Sequence, residues 1–220
     1  MSRSGLLTVT VVDALVEALR EQILDGQWPP AAPVAEVEVA RRFQVSRPTA
    51  KAAVRTLVFE GLLRQDSHHA AVVPSLSAQD IEDLYFVRIP LELAMVERLS
   101  QANDVRLDDA ENAIVALERL ADDAVTSSFV AADLGFHRAL AAAAGSRRLE
   151  RSYNALAGEV HLCMMQTRQA LGRTRIAGEH RRILQAIRSG DGPGAVEAAR
   201  RHLAGARDAL LKSGPDGLKE

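Results

Sequence analysis

Apolar side chains in the first part of the chain recur with the spacing of an α-helix. The stretch VVDALVEALREQILDGQW places four of them on one face: Leu15, Leu19, Ile23 and Leu24. This helix should end at Gly26, before the turn-rich WPPAAP. A short helix is predicted next, over VAEVEVARRF, so the chain opens with two helices separated by strong turn signals.

The following helix is predicted over SRPTAKAAVRTLVFEGLL. Ser46 is its N-cap, and Pro48 lies in the first turn, where backbone N–H groups have no helical partner. Only Gln44, Val45 and Ser46 separate this helix from the one before it. Two β-prone pieces, LLRQ and AAVVP, then flank DSHH. Two short helices joined by a tight corner and followed by two strands are typical of a winged helix-turn-helix.

The rest of the chain shows helical patterns only. Ser77 and Asp80 form a capping-box pattern at the start of this part. Six helices are predicted, at about 78–101, 104–123, 127–144, 147–171, 174–189 and 192–211. Pro90 lies inside the first of them and should kink it. This pattern indicates an all-helical bundle.

Composition agrees with a cytoplasmic globular protein. The 220 residues carry 27 Lys and Arg against 29 Asp and Glu, and this near-balance gives no overall case for nucleic acid or a membrane. No apolar stretch approaches a membrane span, and the single Cys163 excludes an internal disulfide and a CxxC zinc site. We predict a mainly α protein with a winged helix-turn-helix domain at 1–74, a linker at 75–78 and an all-helical domain at 79–220.

Positive charge is concentrated near the second helix of the helix-turn-helix. Within 41–64, six cations are opposed by Glu60 alone: Arg41, Arg42, Arg47, Lys51, Arg55 and Arg64. Such a stripe indicates a phosphate-facing surface. The segments EALREQILDGQWPP and VSRPTAKAAVRTLVFEGLL, together with the piece after them, resemble the N-terminal domain of GntR-family transcription regulators. The resemblance implies that the chain binds double-stranded DNA.

The same resemblance assigns DNA contacts to named residues. Arg47 matches the first Arg of the family pattern SRTPVREAL and is expected at base edges, most plausibly guanine O6 and N7. Lys51 stands at the second Arg, where it keeps the charge but loses the bidentate fork. Thr49 and Ser46 are expected at phosphates. Arg42 and Arg64 complete the expected set, as contacts that add affinity without sequence preference.

The predicted wing departs from the family pattern. Family members usually carry Arg and Gly in RPGRG, whereas this chain has DSHHA. Asp66 would repel phosphate, and the glycines of a tight tip are missing. His68 or His69 either donates to DNA or lies in a solvated turn. DNA binding should therefore be weaker than that of a typical member, or have a different sequence specificity.

A carboxylate and an imidazole interrupt the alanine-rich run TSSFVAADLGFHRALAAAAGS. Asp133 and His137 are one turn apart and share a helical face. His180 and His202 likewise lie on apolar helix faces, the first among Ile176, Ile183, Leu184 and Ile187, the second among Ala195, Ala198, Ala199, Ala206 and Ala209. Burying such groups is costly unless each finds a partner. A core hydrogen bond explains each histidine alone, and the Asp–His pair, at least as well as a metal does.

Together these residues resemble the metal-binding form of the FCD domain, the helical C-terminal domain of FadR-type GntR regulators. The matching pattern is Asp-x3-His, a His opening EHRRILQAIRSGD and a His in AARRHL, and the resemblance covers about 78–212. It implies a divalent transition metal on Asp133, His137, His180 and His202, with positions left for water or a carboxylate. Zn is favoured by affinity order, Ni, Mn and Fe also fit, and imidazole disfavours Mg and Ca.

A candidate effector contact lies in YFVRIPLELA, where Arg88 precedes Glu92 by one helical turn. One interpretation is an intrahelical ion pair worth a few tenths of a kcal/mol. The other is an Arg that clamps a carboxylate bidentately. FCD proteins often carry R-x-x-L-E here, matched by Arg88, Leu91 and Glu92, so the resemblance implies a small carboxylate effector. Pro90 departs from that pattern and makes the pocket's shape harder to predict.

The sequence therefore predicts a ligand-responsive transcription regulator and not an enzyme. One small winged helix recognises only a few base pairs, so we expect a homodimer on a palindromic operator. The alternatives are a metalloenzyme and a direct metal sensor that use the same Asp and His residues. Neither a carboxylate nor a histidine is clearly placed as a general base, which argues against the enzyme.

Overall fold

The computed structural model describes the chain in five stretches: 10–67, 69–102, 105–120, 126–166 and 173–213. In these stretches the chain forms nine helices and two short strands, so the protein is mainly α, as predicted. It divides into two compact units, Met1–Ser75 and Leu76–Glu220. None of the described helices combines the length and the apolar character needed to cross a membrane.

The first unit is a winged helix-turn-helix. Its elements in chain order are α1 Val11–Leu24, β1 Pro33–Val34, α2 Glu36–Arg42, α3 Arg47–Phe59 and β2 Ala71–Val72. The predicted cap of α3 is confirmed, because Oγ of Ser46 accepts a hydrogen bond from the backbone N–H of Thr49 at 3.2 Å. The corner between α2 and α3 turns at Gln44, whose φ of +53° lies in the left-handed region that few residues other than glycine adopt.

The core of this unit lies under α3, which packs against both α1 and α2. Four residues of α3 are buried there: Ala50, Ala53, Val54 and Leu57. Leu19 of α1 meets the same core and is fully buried. Burial of each large aliphatic side chain contributes about 1.5–3 kcal/mol, so this small unit has a hydrophobic core of its own.

The strand prediction was wrong for the piece LLRQ. The partner of β2 is β1, with Pro33 opposite Val72 in an antiparallel register, and Arg64 contributes a single bridge to Val72. The reason is that the backbone N–H groups of Leu62 and Leu63 both donate to the carbonyl of Leu57 at the end of α3, so only Arg64 pairs with β2.

The second unit is a bundle of helices. Its elements are α4 Ala78–Ser100, α5 Asp108–Arg119, α6 Thr126–Ala143, α7 Arg147–Gln166, α8 Arg173–Arg188 and α9 Gly192–Ser213. The predicted capping box of Ser77 and Asp80 is present at the start of α4, and the helix continues through Pro90 on its exposed side. Helix α5 begins four residues later than predicted. Its first turn contains Asp108 and Asp109, whose carboxylates stabilise the positive N-terminal end of the helix dipole.

The interior of the bundle contains both apolar and polar side chains. The apolar part includes Phe136 and Leu140 of α6, Ile114 of α5 and Leu184 of α8, all nearly inaccessible to solvent. Eight polar residues among those described are buried in the same unit: Arg88, Glu92, Ser100, Asp133, His137, His161, His180 and His202. Burial of this many polar groups in one unit requires that they satisfy one another or a ligand.

Candidate metal centre and nucleic-acid interface

The structure brings all four predicted metal ligands together. Asp133 and His137 come from α6, His180 from α8 and His202 from α9, and one ligand atom from each lies within 4.8 Å of those of the others. Each of the four residues is at most 4 % exposed. The cluster is therefore enclosed by the bundle and held by three different helices.

The imidazole nitrogens in this cluster face one another. Nε2 of His202 lies 3.3 Å from Nε2 of His137 and 3.3 Å from Nε2 of His180. Oδ1 of Asp133 lies 3.4 Å from Nε2 of His180. Two nitrogens that each bind one Zn²⁺ at about 2.0–2.1 Å lie roughly 3.4 Å apart in tetrahedral geometry, so these separations match a shared cation.

Two carboxylates determine which nitrogens face the centre of the cluster. Oε2 of Glu92 lies 2.5 Å from Nδ1 of His137, and Oε2 of Glu179 lies 2.8 Å from Nδ1 of His202. A carboxylate accepts hydrogen bonds, so each Nδ1 carries a proton and each Nε2 is left to face the centre of the cluster. Two unprotonated nitrogens at 3.3 Å need a shared proton or a metal cation between them. The donor set therefore fits a metal ion.

His180 is held differently from the other two histidines. Its ring stacks on Phe136, with centroids 4.0 Å apart and an angle of 15° between the planes. No described residue hydrogen-bonds to its Nδ1. Burial, reinforced by His202, His137 and Arg88, lowers the pKa of His180 well below its ordinary value. The ring is therefore neutral and available as a ligand.

Arg88 is linked to the cluster through Glu92. Nε of Arg88 donates to Oε1 of Glu92 at 2.6 Å, and Nη1 donates to the hydroxyl of Tyr85 at 3.0 Å. Burial alone would raise the pKa of Glu92, but His137 and Arg88 beside it lower the pKa to about 2. The predicted Arg88–Glu92 ion pair is thus present, and it is buried. The contact from Glu92 to His137 was not foreseen from the sequence.

Tyr153 was also missed. Its side chain is fully buried, and its hydroxyl has no hydrogen-bond partner among the described residues. Burial raises the pKa of this phenol, so the hydroxyl stays protonated and remains a donor. A buried donor without a partner costs about 1–3 kcal/mol, which marks the interior beside Tyr153 as a place for a ligand or water oxygen.

The exposed face of α3 carries a row of cations. Arg47, Lys51 and Arg55 are spaced four residues apart, all are exposed, and none forms an ion pair with a described residue. Lys51 and Arg55 line a hollow of about 450 Å³ together with Asp66 and Ser67 of the wing. Arg55 belongs to the basic stripe but was not singled out as a DNA contact. Because Arg55 lies one helical turn beyond Lys51 on the same exposed face, we include it in the candidate interface.

The other predicted DNA contacts have local partners. The hydroxyls of Ser46 and Thr49 lie 2.7 Å apart within the cap of α3. Arg42 donates to Oε1 of Gln27 at 3.1 Å, and its guanidinium lies 5.3 Å from the ring centre of Trp28. Arg64 is exposed, and its backbone pairs with β2. His68 lies outside the described residues.

Family comparisons identify both units. Residues 12–73 match the bacterial regulatory proteins of the gntR family, and residues 83–205 match the FCD domain. The chain belongs to the GntR family. As a GntR regulator with an FCD effector domain, it is a DNA-binding transcription regulator. These two matches indicate a transcription regulator.

Relatives of this GntR regulator are regulators too. It is 27 % identical over 188 residues to the "Uncharacterized HTH-type transcriptional regulator YdhC" of Bacillus subtilis, covering 84 % of this chain and 82 % of the relative. It is 28 % identical over 200 residues to the "Probable D-xylose utilization operon transcriptional repressor" of Paenarthrobacter nicotinovorans, covering 90 % and 88 %. A regulator from Agrobacterium vitis is 36 % identical over 141 residues, covering 60 % and 80 %.

Solved structures support the fold of the GntR regulator. A GntR-type regulator from Rhodococcus sp. RHA1 superposes with a TM-score of 0.79 at 24 % identity, covering 91 % of this chain and 97 % of that one. The McbR/YncC protein of E. coli superposes with a TM-score of 0.77 at 15 % identity, covering 93 % and 99 %. At these identities the likeness concerns the fold alone.

Proposed function

We propose that the FCD domain of this regulator binds one divalent transition metal through Asp133, His137, His180 and His202. A small organic acid that binds at this site would control attachment of the protein to its operator. The observation that carries the proposal is the pair of Nε2 atoms of His137 and His202, which face each other at 3.3 Å while their Nδ1 atoms are held by carboxylates.

The donor set supports a transition metal. Three imidazole nitrogens and one carboxylate oxygen suit Zn, Ni, Mn or Fe, and they are unsuited to Mg or Ca, which prefer oxygen ligands alone. Zn is the first candidate in a purified sample because it stands high in the affinity order. The ion would compensate the negative charge of Asp133, which is 4 % exposed in an otherwise largely apolar interior.

An organic acid is supported by Arg88 and Tyr153. Arg88 is buried, and its Nε and Nη1 are already engaged, so an incoming carboxylate would bind to Nη2. The hydroxyl of Tyr153, which lacks a partner among the described residues, would donate to a second oxygen of the same molecule. A cation, a guanidinium and a buried phenol form a suitable environment for an anion with several oxygens.

The DNA-binding surface is centred on α3. We propose that Arg47 contacts base edges, that Lys51 lies in the groove one turn further along α3, and that Arg42, Arg55 and Arg64 contact phosphates. Ser46 and Thr49 would position the N-terminus of α3, and His68 would lie at the wing tip. One such domain recognises only a few base pairs, so two copies in a homodimer would bind a palindromic operator.

Two measurements test this function. Elemental analysis of the purified protein should find about one transition-metal ion per chain. Gel shifts on the DNA upstream of the protein's own gene should respond to a series of di- and tricarboxylic acids, and the response should disappear after treatment with a chelator. A protein that cannot be loaded with any metal contradicts the proposal. A response to metal alone, without any acid, would instead make the metal the signal.

A further inference from the structure

Glu179 and His202 form one side of the candidate metal centre, where the outer carboxylate is partly exposed. Oε2 of Glu179 accepts a hydrogen bond from Nδ1 of His202 at 2.8 Å. The side chain of Glu179 is 19 % exposed, whereas the side chain of Glu92, which holds His137 in the same way, is 4 % exposed. Both carboxylates therefore accept a hydrogen bond from an imidazole Nδ1, and Glu179 is the more exposed of the two.

A hollow opens beside the more exposed pair. Its volume is about 160 Å³, and it is lined by Glu179, Arg182, Ala198, Arg201 and His202. His202 is the one candidate ligand among these lining residues.

Glu179 has a second partner, through its other carboxylate oxygen. Nε of Arg175, a half-exposed residue, is 3.6 Å from Oε1 of Glu179. Glu92 has a different neighbour, because it is bound to Arg88, which is itself buried. Loss of the Glu92 contact would leave a buried charge without its partner, whereas Glu179 can turn towards Arg175 and water.

We propose that Glu179 is the positioning residue of His202, and that this pair is the side through which a divalent metal exchanges with solvent. The inference rests on the proposed metal site. While Glu179 holds Nδ1–H, Nε2 of His202 points at the other ligands. When Glu179 turns to Arg175 and the hollow, the imidazole is free to rotate and the centre opens.

The first test measures how fast the metal leaves. The full chain is loaded with Zn²⁺ and mixed with an excess of a chromophoric chelator. Glu179→Gln keeps the size of the side chain but removes its charge. Loss of an outer carboxylate typically costs about 10–100-fold in metal affinity, and we expect this loss as faster dissociation of Zn²⁺. Saturating Zn²⁺ should still fill the site of the variant.

Glu197→Gln is the matched control. Glu197 lies on α9, pairs with Arg201 at 3.3 Å and is 56 % exposed, and it is not among the residues of the cluster. Its substitution removes the same charge from the same side of the bundle, so its Zn²⁺ dissociation rate should be that of the wild type. Equal rates for Glu179→Gln and Glu197→Gln would overturn the inference and leave the metal site intact. A wild-type chain that takes up no Zn²⁺ overturns both.

A second readout needs no metal, and its decisive spectrum is that of the wild type. In the metal-free wild type, ¹⁵N spectra of the His202 ring should show the proton on Nδ1, where Glu179 accepts it. In Glu179→Gln the two tautomers should mix, and in Glu197→Gln the wild-type spectrum should persist. A wild-type ring protonated on Nε2 instead would contradict the assigned role of Glu179.

Discussion

Oε2 of Glu92 lies 2.5 Å from Nδ1 of His137, although the two residues are 45 positions apart in the chain. Because Oε1 of the same carboxylate binds Arg88, a single side chain connects the candidate effector contact to a candidate metal ligand. The ion pair that the sequence presents as a local helix interaction therefore contacts the buried Asp and His cluster as well.

Replacing Glu92 by Gln should destabilise the protein strongly. The variant leaves Arg88 buried without its counter-ion, and breaking a buried pair in this way costs about 3–5 kcal/mol. Urea denaturation of the metal-free chain measures the loss of unfolding free energy. Glu97→Gln, on the exposed side of the same helix, should change this free energy by less than about 0.5 kcal/mol.

The difference between these two variants should depend on pH. The pKa of Glu92 is about 2 in the folded chain, below its ordinary value of 4.5. A lowered pKa contributes stability that is complete above the unfolded-state value and is lost as pH falls through the folded-state value. The loss of unfolding free energy that Glu92→Gln causes in the metal-free chain should therefore become smaller as pH falls from 4.5 towards 2.

His137→Ala and His202→Ala should each remove the metal. Three remaining protein ligands would hold the ion poorly, so the metal content should fall from about one ion per chain to near zero. DNA binding should survive in part because the winged helix has its own core, while the response to the acid is lost. Elemental analysis decides, with His69→Ala in the winged helix as the control. Full metal occupancy in both variants would contradict the metal site and show that the cluster is a buried hydrogen-bond network.

Arg47→Ala should abolish sequence-specific binding. Arg47 is exposed at the first position of α3, where it can reach a base edge, and a lost bidentate contact costs about 1–3 kcal/mol of discrimination. Competition gel shifts of operator against random DNA measure the ratio. If the preference for operator survived in this variant, the recognition helix would be placed wrongly.

Arg55→Ala should weaken binding to all sequences alike. A lost phosphate contact lowers the slope of log affinity against log salt by about 1. Arg201→Ala removes an exposed cation from the FCD domain and should leave that slope unchanged. An altered preference among operators in Arg55→Ala would assign this residue to a base instead of a phosphate.

Tyr153→Phe should reduce affinity for the acid effector and leave metal content unchanged. A lost hydrogen bond of about 1 kcal/mol corresponds to a roughly fivefold weaker response to the active acid in the gel shift. The ligand-free variant should be as stable as the wild type or slightly more stable, because the removed hydroxyl has no described partner. A clear loss of stability would show that the hydroxyl is already satisfied within the fold.

Residues spaced along one helix could be predicted from the sequence. The one-turn spacing of Asp133 and His137, and the apolar stripes around His180 and His202, placed all four inside the bundle. The structure brings them together. Periodicity gives the buried face of a helix, and the resemblance to FCD domains supplied the expectation that these faces meet.

Contacts between helices could not be predicted in the same way. Glu179 directly precedes His180 in the chain, yet its carboxylate binds His202 on the next helix. The sequence predicted only Arg88 as a partner of Glu92, because these two residues lie one helical turn apart. The strand at Pro33 was missed for another reason: the prolines of WPPAAP signal a turn, and the pairing of Pro33 with Val72 depends on the rest of the fold.

The aromatic residues of the chain are divided between the two units. Trp28 is the only tryptophan, and it lies in the winged helix beside Arg42, whereas both tyrosines, Tyr85 and Tyr153, lie in the helical bundle. Indole fluorescence therefore reports on the DNA-binding unit alone, and operator contact at Arg42 should change its intensity. Phenol absorption reports on the interior around Arg88. The natural chromophores thus allow each domain to be followed optically without a label.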